Sequence, residues 1–144
     1  MTKSPSIVLD SSVIIKWLNR INENELAQAD NLLEHLQMGK VYVLAPLLAK
    51  YEVSNALLKG KELAIAEAFD ALNLFYKLPI QYVDLDETSA QETYEIAHQY
   101  NLTFYDASFI VLAKQKNAIL ITANPKHQQK FSQVKVVALK NYRG

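Results

Sequence analysis

A chain of 144 residues with 15 Lys+Arg against 15 Asp+Glu and 50% hydrophobic residues is long enough for one core and short for two, so residues 1–144 are expected to form a single domain. The absence of cysteine excludes disulfide frameworks, thiolate zinc sites and cysteine nucleophiles, and suits a reducing cytoplasm. The first nine residues carry one Lys and a three-residue apolar run, far from a signal-peptide core, and no stretch approaches the ~18 apolar residues of a membrane span.

Ile7-Val8-Leu9 is a β-branched run ending at Asp10 and reads as a strand; Ser11-Ser12 then opens a helix with Val13, Ile14, Trp17 and Leu18 on its apolar side. Leu26, Ala29, Leu32, Leu33 and Leu36 recur at helical spacing over residues 25–38, with Gly39 as the C-terminal cap. Residues 41–45 read as a second strand, Pro46 as the first turn of a helix running to about Leu58, and Gly60 as the residue just beyond its end. Residues 62–76 read as a helix, Pro79 separates it from a strand over 80–83, and Asp86 reads as the N-cap of a helix over 87–100. Asp106 is expected to start a helix bearing Ala107, Ile110, Val111 and Ala113. Residues 119–122 follow as a strand, then a helical turn after Pro125 and a last strand over 134–138. Unbroken apolar strands alternating with helices imply an α/β fold, a three-layer α/β/α sandwich around a parallel sheet of four to five strands. Such sheets bind ligands at the carboxyl ends of their strands, near the point where strand order reverses.

Charge is unevenly spread. Residues 78–113 contain no Lys or Arg, while Asp84, Asp86, Glu87, Glu92, Glu95 and Asp106 are acidic; residues 107–144 contain seven basic residues and no acid. The bland account is a set of solvated helix faces. Asp10, Asp106 and the run Thr122-Ala123-Asn124 nevertheless all fall on the carboxyl rim of the expected sheet, and Glu52 lies among apolar residues in Tyr51-Glu52-Val53-Ser54-Asn55-Ala56-Leu57. Taken singly, Asp10 and Asp106 also read as helix N-caps and Glu52 as a surface residue. Carboxylates brought to one place repel unless a divalent cation neutralises them, and oxygen-only donors suit Mg²⁺ or Mn²⁺.

Ile7-Val8-Leu9-Asp10-Ser11-Ser12-Val13-Ile14-Ile15-Lys16-Trp17, Tyr51-Glu52-Val53-Ser54-Asn55-Ala56-Leu57, Thr103-Phe104-Tyr105-Asp106-Ala107-Ser108 and Leu120-Ile121-Thr122-Ala123-Asn124 resemble, in order and spacing, the four motifs of PIN-domain ribonucleases, especially the VapC-type toxins. The resemblance spans nearly the whole chain. It implies a metal-dependent endoribonuclease that hydrolyses RNA phosphodiester bonds as the toxin of a toxin-antitoxin pair. Asp10, Glu52 and Asp106 would be the catalytic metal ligands for Mg²⁺ or Mn²⁺, with Ser12 and Thr122 as polar supports. At Asn124 the family more often has a fourth Asp. Asn keeps a carbonyl acceptor but loses a charge, so a second metal would be held less tightly or through water. A bound cation would lower the pKa of a water and stabilise charge on the scissile phosphate, so no side-chain nucleophile is required. Lys16, Lys50 and Lys126 are candidate phosphate contacts. The implied partners are RNA, a small antitoxin and a second copy of the chain in a homodimer, with no membrane and a cytoplasmic location.

A rival reading within the same scaffold is a catalytically weak or inactive module that binds RNA or protein, which Asn124 would favour. A receiver domain needs paired acids after the first strand and a Lys ending the fifth, and a haloacid-dehalogenase phosphatase needs an acid where Ser12 stands; neither pattern is present. His35, His98 and His127 have no metal-ligand spacing and read as surface or structural residues. Trp17, Phe104, Tyr105 and Phe109 read as core rather than as stacking platforms. The helices over 26–36 and 62–76 are candidates for the antitoxin and dimer contacts, against the simpler reading that both stripes face the sheet.

Overall fold

The structure, a computed structural model, describes residues 4–144. Five strands, β1 (Ser6–Leu9), β2 (Tyr42–Pro46), β3 (Ile80–Val83), β4 (Ile119–Thr122) and β5 (Val136–Ala138), form one sheet in the order β3-β2-β1-β4-β5. Every pairing is parallel. The chain moves outward from β1 through β2 to β3, then returns to β4 on the other side of β1. The topology therefore reverses between β1 and β4, and the crevice at their carboxyl ends is where the fold builds a site.

The strands are parallel because helices carry the chain back each time. Helices α1 (Ser11–Leu18), α2 (Leu26–Gln37), α3 (Leu48–Asn55) and α4 (Ile65–Lys77) occur in the first two crossovers, and α1 packs on the other three. Helices α5 (Glu87–Tyr100) and α6 (Phe104–Gln115) make the return crossover, with α6 lying on β1, β2 and β4. Right-handed crossovers in opposite directions put these two groups on opposite faces, which is the expected three-layer sandwich. The centre is dry: Val8, Leu9, Val13, Ile14, Leu32, Ile110, Leu120 and Ile121 are fully buried, and the Trp17 indole N–H donates to the Ala29 carbonyl at 2.8 Å, tying α1 to α2. Gly39, at φ +72°, ends α2 as expected, with its N–H and that of Lys40 returning to the carbonyls of Leu36 and His35. Among the described residues no helix is long and apolar enough to cross a membrane.

Several boundaries differ from the sequence reading. Pro46 closes β2 opposite Val83 rather than opening α3. β1 pairs with β2 only as far as Leu44, so the missing proline N–H costs no bond on that side. Gly60 lies inside a π-helical turn, Ala56–Gly60, that continues α3. The next helix starts at Ile65, after Glu62 turns the chain at φ +53°. The last strand is shorter than expected, and α6 starts at Phe104 with Thr103 as its cap, so Asp106 lies within the first turn.

The two apolar helices part company. On α2, Ala29, Leu32 and Leu36 are buried, so its stripe serves the core. On α4, Ala71 and Phe75 do that work, while Ile65, Phe69 and Tyr76, at helical spacing, are 75%, 68% and 62% exposed.

Candidate active site

Asp10 follows β1 and caps α1. Its Oδ2 accepts from the Ser12 backbone N–H at 3.1 Å, from the Ser12 hydroxyl, and from the Thr122 hydroxyl at 3.2 Å. Each hydroxyl has a single proton, given to Asp10, and each accepts in turn from the chain leaving β4: Ala123 N–H to Ser12 Oγ and Asn124 N–H to Thr122 Oγ1, both at 3.1 Å. The arrangement follows from register. Leu9 pairs with Ile121, so the segments leaving β1 and β4 emerge side by side. One oxygen of Asp10 is thus fixed, while Oδ1 accepts no hydrogen bond among the described residues. The N-cap role and the role at the site fall on the same side chain.

Glu52 reaches the site from α3, where Ser11 Oγ donates to its Oε1 at 2.9 Å. Burial, and after it the charges of Asp10 and Asp106, push its carboxyl above the ordinary range against the opposing pull of the Ser11 hydrogen bond. Asp106 stands in the first turn of α6, its N–H donating to Thr103 Oγ1 at 3.0 Å. Its carboxyl is also raised, by burial and then by Asp10, with His127 and Thr103 pulling the other way. Glu52 therefore feels the charges of Asp10 and Asp106, and Asp106 that of Asp10.

Asp10 and Asp106 line an open cleft of about 880 Å³ whose other wall is Thr122, Asn124, Lys126, His127 and Gln128. Glu52 does not line it and is joined to it through Ser11 and its charge. Asn124 and Lys126 are exposed on that wall. His127, read from the sequence as a surface or structural residue, faces the cleft and acts on Asp106. Sequence reasoning passed over Gln128, which is buried and donates to the Asp106 carbonyl at 3.4 Å. No spacing rule marks either one, because both are brought in by the turn after Pro125.

Two of the three lysines are differently employed. Lys16 is 5% exposed, its ammonium held by Glu23 at 3.0 Å and by the Asn24 carbonyl at 2.8 Å. A buried, paired ammonium is not offered to a phosphate, and that expectation is corrected. Lys50 lies over the rings of Tyr82 and Tyr76, 4.7 and 5.2 Å from their centroids. Phe104 and Tyr105, expected in the core, are 37% and 55% exposed; they open the first turn of α6, whose buried residues begin only at Ala107.

Among the described residues, as the side chains stand, no three Asp, Glu or His side chains are close enough together to hold one metal ion. The donor chemistry nevertheless fits a hard divalent cation. Asp10, Glu52, Asp106 and the Asn124 carbonyl are all oxygen donors, and each raised acid is raised in part by its acidic neighbours.

A family model, PIN domain, matches residues 7–134. No curated protein sequence matches the chain. Among solved structures, VapBC2 from Rickettsia felis, bound to a DNA fragment from its promoter, superposes with a TM-score of 0.70 at 16% identity, over 92% of this chain and 98% of that one. PAE2754 from Pyrobaculum aerophilum gives 0.69 at 21% identity over 95% and 91%. VapC20 from Mycobacterium tuberculosis, a sarcin-ricin loop cleaving toxin, gives 0.66 at 14% identity over 90% and 98%. Likeness at these identities is likeness of fold.

Proposed function

The chain belongs to the PIN-domain family, and from that premise we propose that residues 1–144 act as a single-domain, metal-dependent endoribonuclease, the toxin of a toxin-antitoxin pair. What supports this reading is that Asp10 and Asp106 line one cleft at the switch point of the sheet, that Glu52 lies within reach of their charges and is tied to Ser11, and that Ser12 and Thr122 fix one oxygen of Asp10. Acids raised in part by their neighbours' charge are stabilised when a cation arrives. The same three side chains would hold Mg²⁺ or Mn²⁺, with the Asn124 carbonyl on the open wall. A divalent cation there supplies an activated water and stabilisation of charge on the scissile phosphate.

The chain's own residues do the rest. Ser12 and Thr122 keep Oδ2 of Asp10 in one orientation, so the carboxylate is ordered before substrate arrives. Lys126 stands beside the acids on the open wall, where its charge would meet an anionic backbone before that backbone reaches the negative groups. Partner binding rests on α4, whose Ile65, Phe69 and Tyr76 form an apolar stripe unused by the core. A small antitoxin and a second copy of the chain are the occupants assigned to exposed apolar surface of this kind. A toxin-antitoxin complex from Klebsiella pneumoniae, which shares the fold, supports that assignment.

The test is incubation of purified protein with a mixed RNA pool and Mg²⁺ or Mn²⁺, beside an EDTA control and Asp10→Asn. Metal-dependent cutting that disappears in the variant is expected. RNA left intact under every metal condition would refute the reading.

A further inference from the structure

The rim holds a second depression, beside the first turn of α6 that carries Asp106. A pocket of about 150 Å³ lies between the first turn of α6 and the carboxyl ends of β2 and β3, lined by Leu47, Leu48, Asp84, Leu85, Phe104 and Tyr105 among others. Its floor is closed where the Leu47 N–H donates to the Val83 carbonyl at 2.9 Å. The backbone that carries its aromatic wall is tied down: Thr103 caps α6, and Ser108 Oγ donates to the Tyr105 carbonyl at 2.6 Å. It is small, mostly apolar and set on the same edge as the acids, because Tyr105 immediately precedes Asp106.

We propose that this pocket receives one unpaired nucleobase of the RNA whose backbone crosses the acidic site. The inference rests on the nuclease reading and deepens it. Two observations favour a base over other occupants. Exposed aromatic rings beside a backbone-binding cleft are how proteins hold single-stranded RNA, since every base has a face that stacks while its phosphates run along the charged groove. The pocket also has one polar feature, Asp84. One of its oxygens accepts from the Leu85 N–H at 2.8 Å, and the other accepts nothing among the described residues. A free carboxylate oxygen at the edge of a stacking slot accepts from an exocyclic amino group, whereas the one donor on uracil's pairing edge, N3–H, is flanked by two carbonyls that repel the carboxylate, so adenine, cytosine and guanine are favoured over uracil. A duplex cannot present a base in this way, so the substrate is a single strand, loop or bulge.

The experiment uses the full chain carrying Asp10→Asn and short single-stranded RNAs with 2-aminopurine placed at successive positions, whose fluorescence falls when the base stacks. Quenching at one position is expected, with its loss in Tyr105→Ala and Phe104→Ala and about tenfold or more weaker binding. Both rings are solvent-facing, so the variants should melt with the parent. Quenching unchanged in both variants, or retained by a duplex, overturns the proposal. Preference among bases that does not move toward uracil in Asp84→Asn overturns the role of the carboxylate. Cleavage of the same RNAs by the wild-type chain separates the two claims. Cutting without Tyr105-dependent quenching sinks the pocket alone; Tyr105-dependent quenching without cutting sinks the nuclease reading and leaves the base pocket standing.

Discussion

The hydroxyl of Thr122 donates to Oδ2 of Asp10 at 3.2 Å, across 112 residues of chain. The contact exists because β1 and β4, distant in sequence, are neighbours at the point where the sheet reverses its order. Ser12 repeats the arrangement from the other side, taking the Ala123 N–H and giving its proton to the same oxygen. Two hydroxyls thus relay the backbone leaving β4 onto the carboxylate leaving β1, and the acid is ordered by the fold rather than by a ligand.

Removing one relay tests this. Thr122→Val keeps the shape and deletes the donor, so metal affinity and cleavage rate should fall roughly 10- to 100-fold, the usual cost of losing a partner behind a metal ligand. The Asn124 N–H also loses its acceptor, which costs about 1 kcal/mol in urea unfolding. Calorimetric titration with Mn²⁺ beside a cleavage assay separates the two effects. Metal affinity equal to wild type would reduce Thr122 to a backbone cap.

Glu52→Gln should make the metal-free protein more stable and the enzyme inactive. Burial and the charges of Asp10 and Asp106 raise the Glu52 carboxyl, so the folded state takes up a proton before the unfolded chain does. Metal-free stability therefore falls as pH rises from the ordinary carboxylate range through the raised value, then levels. Glutamine retains an acceptor for Ser11 and carries no charge, so this fall becomes shallower. Melting in EDTA across that range gives the sign, and a variant less stable than wild type at neutral pH contradicts it.

Much of this was legible before any coordinates. The run Ile7-Val8-Leu9-Asp10, helix α5 with its Asp86 cap, and the strand ending at Thr122 fall where periodicity and capping place them. Each is decided by local pattern. Asp106 was placed two residues early in its helix, although Thr103-x-x-Asp106 carries the capping-box spacing. Pro46 was misplaced because a proline ending a strand and one opening a helix look alike without the register. Lys16 shows the limit most clearly. Its spacing from Asp10 suggests a phosphate contact, and only the loop returning through Glu23 and Asn24 shows that its charge is already taken.

That correction yields a prediction of its own. Glu23 sits between Lys16 and Lys61, the Lys61 oxygen distance being 2.6 Å, and although burial pushes its carboxyl up, the two lysines outweigh it and hold it below the ordinary range. Lys16→Met should cost about 1–3 kcal/mol in urea unfolding through the lost charged hydrogen bonds, with RNA affinity unchanged. Because Glu23 is lowered, its contribution is present above the unfolded carboxylate value and is lost as pH falls through the depressed one. The variant should show less of that acid-side loss. A drop in RNA affinity at unchanged stability would return Lys16 to the binding surface.

Lys126 should behave in the opposite way. It is exposed on the wall of the acidic cleft, so Lys126→Ala should leave unfolding within about 0.5 kcal/mol of wild type. RNA binding should weaken across all sequences, and the slope of log affinity against log salt should drop by about 0.7, one phosphate contact on a single strand. Fluorescence anisotropy over a salt series measures it; an unchanged slope means that Lys126 faces solvent alone.

Asn124→Asp restores the fourth acid and separates charge from geometry at the open wall. Asn124 is exposed, next to Thr122, whose hydroxyl accepts its N–H; that backbone contact survives the change, so the fold is not strained. A new negative charge beside Asp10 and Asp106 adds repulsion that only a cation relieves. The variant should therefore melt lower than wild type in EDTA and gain more on addition of Mn²⁺, with metal affinity raised about tenfold or more, as expected for one added charge near a divalent ion in a partly screened site. If the site holds a single metal through Asp10, Glu52 and Asp106, cleavage at saturating Mn²⁺ changes little while the metal needed for half-activity falls. If the rate at saturation climbs as well, the fourth position orders a second ion or its water, and Asn124 has been limiting the chemistry rather than the binding. Metal affinity that does not move would show that residue 124 lies outside the reach of the ion.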